Sequence, residues 1–386
     1  MRLEEICTVF TDGDWIESKD QSDDGIRLVQ TGNIGEGIYL EKEARAKYIS
    51  EETFEKLKCT EIFPGDILVS RLPDPVGRAC IIPEKEERMI TAVDCTICRP
   101  NESIISKEYL CYFMRSSAYY KRLLGSVTGT TRKRISRKNL GNVELEVPSK
   151  ERQMDVVEQL DCLVKVIESR KQELQLLDNL IKARFVEMFG DMITDHNGWK
   201  NVLLGEVCDV RDGTHDSPQY YSEGYPLVTS KNVTGGKIDF VDCSLICKED
   251  YNKINQRSKV DYGDILMPMI GTVGNPVIVD IDEKFAIKNV ALIKFRDNTV
   301  VINSFIKALL ESDYFDRAVI SKVRGGTQKF ISLGDIRKLE IYLPPISMQN
   351  QFADFVHQVD KSKVAVQKAL KETQLLFDSL MQQYFG

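Results

Sequence analysis

The chain is poor in the groups that usually build sites. It has only three histidines and two tryptophans. No apolar run approaches the roughly 18 residues needed to cross a bilayer. Its first residues, Met1 to Glu5, lack the basic and apolar regions of a secretory signal. A cytoplasmic protein without membrane contact is expected. Cysteine is plentiful at ten residues, but Cys95 and Cys98 form the one C-x-x-C. They fall in Ala92–Cys98, which reads as a strand, so positions three apart point to opposite faces and cannot share one ion. Free thiols in a reducing compartment are expected, not a zinc site or a disulfide framework.

Catalytic signatures are missing as well. No G-x-x-x-x-G-K-[ST] phosphate loop is present. Gly32, Gly35 and Gly37 are followed by no helical pattern, so they read as a turn rather than a nucleotide cradle. The Asn-Pro-Pro-aromatic tetrad of an adenine methyltransferase is absent, and Asn275-Pro276-Val277 is a poor substitute. The Asp282-Glu283-Lys284 cluster is of a kind that arises by chance in a chain that is 29% charged. His196, His215 and His357 have no matched positions elsewhere in the chain and are read as structural. These absences favour a binder over an enzyme.

Net positive charge is lacking too: the balance is −7, which taken alone argues against nucleic acid. The distribution argues for it. From Tyr109 to Val143 there is no Asp or Glu, while Arg115, Lys121, Arg122, Arg132, Lys133, Arg134, Arg137 and Lys138 crowd the same stretch. A second basic stretch holds Arg317, Lys322, Arg324, Lys329, Arg337 and Lys338.

What the chain has is repetition. Leu3-Glu4-Glu5-Ile6 returns as Leu204-Gly205-Glu206-Val207, and Pro64-Gly65-Asp66-Ile67-Leu68 as Tyr262-Gly263-Asp264-Ile265-Leu266. Gly129-Thr130-Thr131 through Ile135-Ser136 returns as Gly326-Thr327 through Ile331-Ser332, and Leu177-Asp178-Asn179-Leu180 as Phe377-Asp378-Ser379-Leu380. The period far exceeds the roughly 20–50 residues of a solenoid unit, so a whole domain is duplicated.

Each copy has two parts. The first mixes short apolar runs (Ile67–Val69, Ala79–Ile82, Val277–Val279, Asn289–Ile293) with Gly and Pro punctuation, as strands require. One helix per copy is predicted there, Lys107–Leu124 capped by Ser106 and Ser304–Val323 capped by Asn303. In the second part glycine vanishes, after Pro148 and after Pro344-Pro345. Heptad positions there read Val156, Leu160, Leu163, Ile167, Arg170, Leu174, Leu177, Ile181, Arg184, Met188 and Phe352, Val356, Val359, Lys363, Val366, Leu370, Thr373, Phe377, Leu380, Tyr384. That is a coiled-coil stripe. The polar members Arg170, Arg184, Lys363 and Thr373 suit a role in fixing register. Connectivity then requires an antiparallel pair, and a 33-residue helix is about 50 Å long. The expected fold is α+β: two similar mixed α/β domains (1–148 and 199–344) separated by an antiparallel coiled coil of two long helices (149–198 and 345–386).

The Gly-Asp-Ile-Leu segments at 65–68 and 263–266, the Gly-Thr loops ending in Ile-Ser, and the run Leu339-x-Ile341-x-Leu343-Pro344-Pro345-x-x-x-Gln349 together resemble the specificity subunit of type I restriction–modification enzymes. The likeness runs over essentially the whole chain; its one departure is Ser149, where the family pattern has a second proline. The resemblance implies that each domain is a target-recognition domain reading half of a bipartite, asymmetric site in double-stranded DNA. It implies a coiled coil that sets the unread spacer and docks two methyltransferase subunits carrying S-adenosylmethionine. An ATP- and Mg-dependent restriction subunit would join them, and the chain itself would be non-catalytic and bind no metal. A non-DNA two-module scaffold, or a stand-alone methyltransferase or nuclease, is the alternative.

Base reading needs forked donors and amides facing the major groove. The candidates are Arg71, Arg78, Arg132, Lys133, Arg134, Thr31 and Asn33 in the first domain, with Lys121 as a phosphate contact. In the second they are Arg324, Gln328, Lys329, Ser230, Lys231 and Asn232. Partner contact is expected at Gln153, Phe185, Phe189, Gln349 and Phe385, read as exposed positions near the helix ends, with core packing as the alternative for the matched pair Phe185 and Phe385.

Overall fold

A computed structural model describes residues 1–129, 133–192, 198–270, 274–295, 300–319 and 330–386. The chain forms two compact units, Met1–Arg170 with Ala369–Gly386, and Lys171–Lys368. Both divisions fall inside the long helices, so each unit contains one end of each helix.

In the first unit a four-stranded antiparallel sheet runs in the order Cys7–Asp12, Cys95–Pro100, Ile67–Ser70, Ala79–Ile81. A second sheet places Ile26–Val29 parallel to Met89–Thr91, flanked by Tyr48–Ile49 and Glu61–Ile62. The second unit repeats the plan. Asp209–Asp212, Val290–Lys294, Ile265–Pro268 and Val277–Ile278 form its four-stranded sheet. Tyr225–Val228 lies parallel to Ala286–Ile287 in its second sheet. The two-fold alternation of side chains along a strand explains why the central strands are apolar on both faces. Ile67 and Val69 face a core built with helices, while Leu68 faces the second sheet with Val29 and Ile62. Ile265 and Met267 divide from Leu266 in the same way. Cys98 joins the first of these cores and Cys95 the other, on opposite faces of their strand. Burial pushes the Cys95 thiol up to about 12.

The expected single helix of each copy is two. Ser106 caps Lys107–Phe113 by accepting from the Tyr109 amide, and Ser116 starts a second helix, Ser117–Leu124, by accepting from Tyr119. The second copy divides likewise into Asn303–Leu310 and Asp313–Ala318, with Ser312 at the break. In the first copy the serine side chain takes an orphan amide and so competes with helix continuation; in the second, Ser312 stands at the matching place and its hydroxyl donates back to the Leu309 carbonyl at 2.6 Å.

The long helices are Lys150–Phe189 and Ile346–Phe385. Every predicted heptad residue is buried or half-buried, from Leu160 and Phe352 at 0% exposure to Leu177 and Leu380 at intermediate burial. Within the first unit the start of the first helix meets the end of the second: Tyr384 donates to Gln159 at 2.7 Å, and Val156, Leu160, Met381 and Phe385 share one core. Within the second unit the end of the first meets the start of the second: the Phe185 and Phe352 rings lie 5.6 Å apart, and Lys363 pairs with Asp178 at 2.7 Å. Both pairings are antiparallel. Each globular domain also packs on both helices of its unit, through Tyr109 against Phe385 at 5.2 Å and Phe305 against Phe189 at 5.0 Å. Among the described residues no helix is long and apolar enough to cross a membrane.

Candidate nucleic-acid interface

The repeated Gly-Asp-Ile-Leu motif is a fold device. The Asp66 carboxylate accepts from the Phe63 amide at 2.9 Å and holds Arg99 through two bonds of 2.7 and 2.8 Å. Asp264 does the same with the Asp261 amide at 2.8 Å and Lys294 at 2.5 Å. One carboxylate thus closes the turn and ties it to the neighbouring strand, with a different cation in each copy.

Several expected readers prove to be inward-facing. Asn33 accepts from the Gln30 amide and donates to the carbonyls of Leu40 and Glu41. Asn232 accepts from the Thr229 amide and donates to Asp239. Both are buried, so their amides are spent on shaping the loops. The Arg78 guanidinium is buried and donates to the carbonyls of Ile34 at 2.7 Å, Leu72 at 2.9 Å, Pro75 at 3.2 Å and Thr31 at 2.7 Å. No edge is left for a base. Thr31 contributes its carbonyl to that clamp and is itself half-buried. Arg71 is buried too, donating to the Val93 carbonyl at 2.5 Å and pairing with Asp12 at 3.3 Å; burial lowers its pKa against the opposing pull of Asp12.

The expectation of exposed partner contacts is corrected more sharply. Gln153 and Gln349 are both 0% exposed. Gln153 accepts from the Ser106 amide at 2.8 Å and donates to Ile104 and Pro148 carbonyls, both at 3.0 Å. Gln349 accepts from the Ile302 amide at 3.0 Å and donates to Val300 at 3.0 Å and Pro344 at 2.9 Å. Each bolts the first turn of a long helix to the residue that opens its domain's helix. Phe185, Phe189 and Phe385 are core residues, because their rings pack against aromatic side chains of the domain helices.

What stays outside is basic. In the first domain Lys121, Lys133, Arg134, Arg137 and Lys138 are exposed. Arg134 pairs with Asp94 at 2.9 Å and Arg137 approaches Asp12 at 3.8 Å. Asp12 therefore gathers Arg71 and Arg137 where the strand Cys7–Asp12 ends, and the segment bearing Lys133 is tied to the same edge by the Ile135 amide on the Arg71 carbonyl at 3.2 Å. In the second domain Lys231 is exposed, and Ser230 is half-buried with its hydroxyl toward the Asn289 carbonyl at 3.4 Å. Arg132, Arg324, Gln328 and Lys329 lie outside the described residues.

One arrangement escaped the reading of residue types. His215 follows the strand Asp209–Asp212, and its ring nitrogens meet Asp212 Oδ2 and Asn289 Oδ1, both at 2.7 Å. The other Asp212 oxygen is taken by Arg257. The bonds to Asn289 and then Asp212 raise the pKa of the imidazole above its usual value. The signal lay in position rather than residue type: Asp212-Gly213-Thr214-His215 answers Asp12-Gly13-Asp14-Trp15. Among the described residues no cluster of three His, Cys, Asp or Glu side chains could hold a metal ion.

Comparison with known proteins agrees with this geometry. The family model for the type I restriction modification DNA specificity domain matches twice, over residues 1–179 and 196–374. The chain is 22% identical over 317 residues to the type I restriction enzyme EcoKI specificity subunit of Escherichia coli K12, covering 75% of this chain and 67% of that protein. It is 22% identical to the MjaIX specificity subunit of Methanocaldococcus jannaschii, covering 90% of this chain and 82% of that one. A type I system S subunit from M. genitalium shares the fold, with a TM-score of 0.54 at 14% identity over 100% of this chain and 95% of that one. A chain solved in a study of type I R-M complex assembly superposes with a TM-score of 0.59 at 20% identity, over 100% of this chain and 96% of that one. Two matched copies spanning nearly the full length place the chain without ambiguity: it belongs to the type I restriction–modification DNA specificity family, as a DNA sequence-recognition subunit.

Proposed function

We propose that residues 1–148 and 199–344 each read one half of a bipartite, asymmetric DNA site, and that the long helices at 149–198 and 345–386 set the unread gap. The observation that carries this reading is the double recurrence of one plan. Two copies share sheet order, the Asp66 and Asp264 turns and the Gln153 and Gln349 bolts, yet differ in the exposed residues set upon that frame. A common frame with different tips suits two modules that read different base sequences. The exposed cations Lys121, Lys133, Arg134, Arg137, Lys138 and Lys231 are assigned to phosphate and base-edge contact. The same helices dock two methyltransferase subunits, which bring S-adenosylmethionine, and an ATP- and Mg-dependent restriction subunit completes the complex. The chain is non-catalytic by itself. With the expected glutamines and phenylalanines buried, docking falls to exposed apolar helix positions such as Met154 and Leu176.

The net charge of −7 fits a subunit whose partners supply much of the phosphate neutralisation. Log affinity falls with log salt by about 0.9 per phosphate contacted. The isolated chain is expected to bind duplex weakly with a shallow slope, and the complex with methyltransferase subunits to bind tightly with a steep one. Titrating both against a cognate duplex between 50 and 200 mM salt, roughly the informative range, checks this. Tight binding and an equally steep slope for the isolated chain would refute the division of labour.

A further inference from the structure

The Asp-Gly pairs at 12–13 and 212–213 do the same thing in both domains. Each ends the first strand of the four-stranded sheet and crosses to the second sheet, where Asp14 bridges Ala92 and Thr214 bridges Lys288 in parallel. A side chain at Gly13 would strike the Thr91 carbonyl oxygen, and one at Gly213 the Ile287 carbonyl oxygen, so the crossing demands glycine. The next residue out is Trp15 in one domain and His215 in the other. Trp15 is 70% exposed. The His215 side chain is 63% exposed although both its ring nitrogens are bonded. A large exposed ring held at one matched point of a duplicated frame has no folding role that the other copy needs.

Each tip stands among charged and polar side chains, and the first lies next to groups assigned to DNA. The crossing behind Trp15 begins at Asp12, which pairs with Arg71 and Arg137, and bridges Ala92 close to Asp94, the partner of Arg134. Beside His215, Lys288 donates to Ser217 at 2.6 Å, and Ser230 reaches the Asn289 carbonyl.

We propose that these two tips are DNA contacts: His215 sets its exposed ring, held by Asp212 and Asn289, against the backbone of one half-site, and Trp15 lays its ring against the base and sugar edge of the other. The inference rests on the proposed two-module function and adds a contact in each module. The chemistry of the tips differs as their targets do. A flat apolar ring gains by leaving water and stacking, worth about 1–3 kcal/mol per base. A ring whose two nitrogens are already held by Asp212 and Asn289 meets the backbone through charge and ring contact rather than a new hydrogen bond, and has little side-chain entropy left to lose.

The test uses the full chain assembled with its methyltransferase subunits, with Lys133→Ala defining which half-site belongs to the first domain. Trp15→Ala is expected to weaken cognate binding about tenfold and to lose that effect on a duplex scrambled in the first half-site. His215→Ala is expected to cost about fivefold, near one phosphate contact, at the second half-site, and His215→Lys to restore it. The groups around His215 are Asp212 on its strand, Arg257 on the helix behind Asp212, Lys288 and Asp216; against that fixed background the cost of His215→Ala shrinks as pH rises through a midpoint above 6.5. In a Trp199→Phe background, Trp15 is the sole tryptophan, and its emission changes on adding cognate duplex. Melting temperatures equal to the parent's exclude misfolding, and Trp15→Phe replaces Trp15→Ala if they differ. Binding within twofold of the parent for both tips, while Lys133→Ala still weakens it, overturns this inference and spares the two-module reading. Loss of sequence preference in none of the three variants overturns both.

Discussion

Replacing Gln349 by alanine is expected to destabilise the second unit by about 3 kcal/mol, since burying an unsatisfied polar group costs about 1–3 kcal/mol. The side chain is fully buried and serves three main-chain groups: the Ile302 amide and the Val300 and Pro344 carbonyls. Alanine orphans all three, with partial relief if water enters the cavity. Ile302 is the residue that opens the helix Asn303–Leu310, and Gln349 lies in the first turn of the long helix, so the loss unfastens one from the other. The same separations of 47, 49 and 5 residues recur for Gln153, and Gln153→Ala should cost the first unit a like amount. Urea unfolding gives the total. Hydrogen exchange gives the location: for Gln349→Ala, amides at the start of Asn303–Leu310 should exchange faster while those of Lys107–Phe113 stay protected. A midpoint change worth under about 0.5 kcal/mol, the scatter of ordinary surface substitutions, would contradict the bolt.

Arg78→Lys is expected to cost about 3 kcal/mol, despite conserving charge. Hydrogen bonds to charged groups contribute about 1.5–3 kcal/mol each, and the guanidinium makes four. Its fork gathers Thr31, Ile34, Leu72 and Pro75, bringing the turn at 31–34 onto the segment 72–75. A lysine has three donors on one atom and cannot span those carbonyls. Because the clamp shapes loops rather than touching DNA, the variant should lose stability first, and binding should fall for cognate and scrambled duplex alike. Unchanged stability with altered base preference would return Arg78 to the reading surface.

Much of the fold was legible because its signals are periodic. The short apolar run Ile67–Leu68–Val69 between Gly and Pro turns, and the heptad spacing from Val156 and from Phe352, follow from what strands and paired helices require of a sequence, so they survive without coordinates. The helix break at Ser116 was missed because a serine reads as an ordinary surface residue until its hydroxyl is seen taking the Tyr119 amide. The candidate site was less legible, and for a physical reason. Asn33, Asn232, Arg78, Gln153 and Gln349 are polar, lie at loops or helix ends and recur or cluster, as readers would. Their acceptors come in part from residues more than forty positions away, Thr31 and Ile34 for Arg78 and Ile104 for Gln153. Recurrence across copies marked what both domains need in order to fold, whereas the contrast between Trp15 and His215 marks what each copy does not share. His215 was set aside because no histidine matches it, and that mismatch was the informative feature.

The central claim is that one chain reads two separate blocks of DNA through two copies of a frame. Mapping methylated adenines in a genome where this chain is expressed with its methyltransferase subunits tests it directly, with the parent beside Lys133→Ala. The account predicts one motif made of two short blocks about a gap of fixed length, with Lys133→Ala relaxing bases in a single block and leaving the gap and the other block unchanged. A contiguous motif, a gap that varies, or relaxation of both blocks together would contradict it.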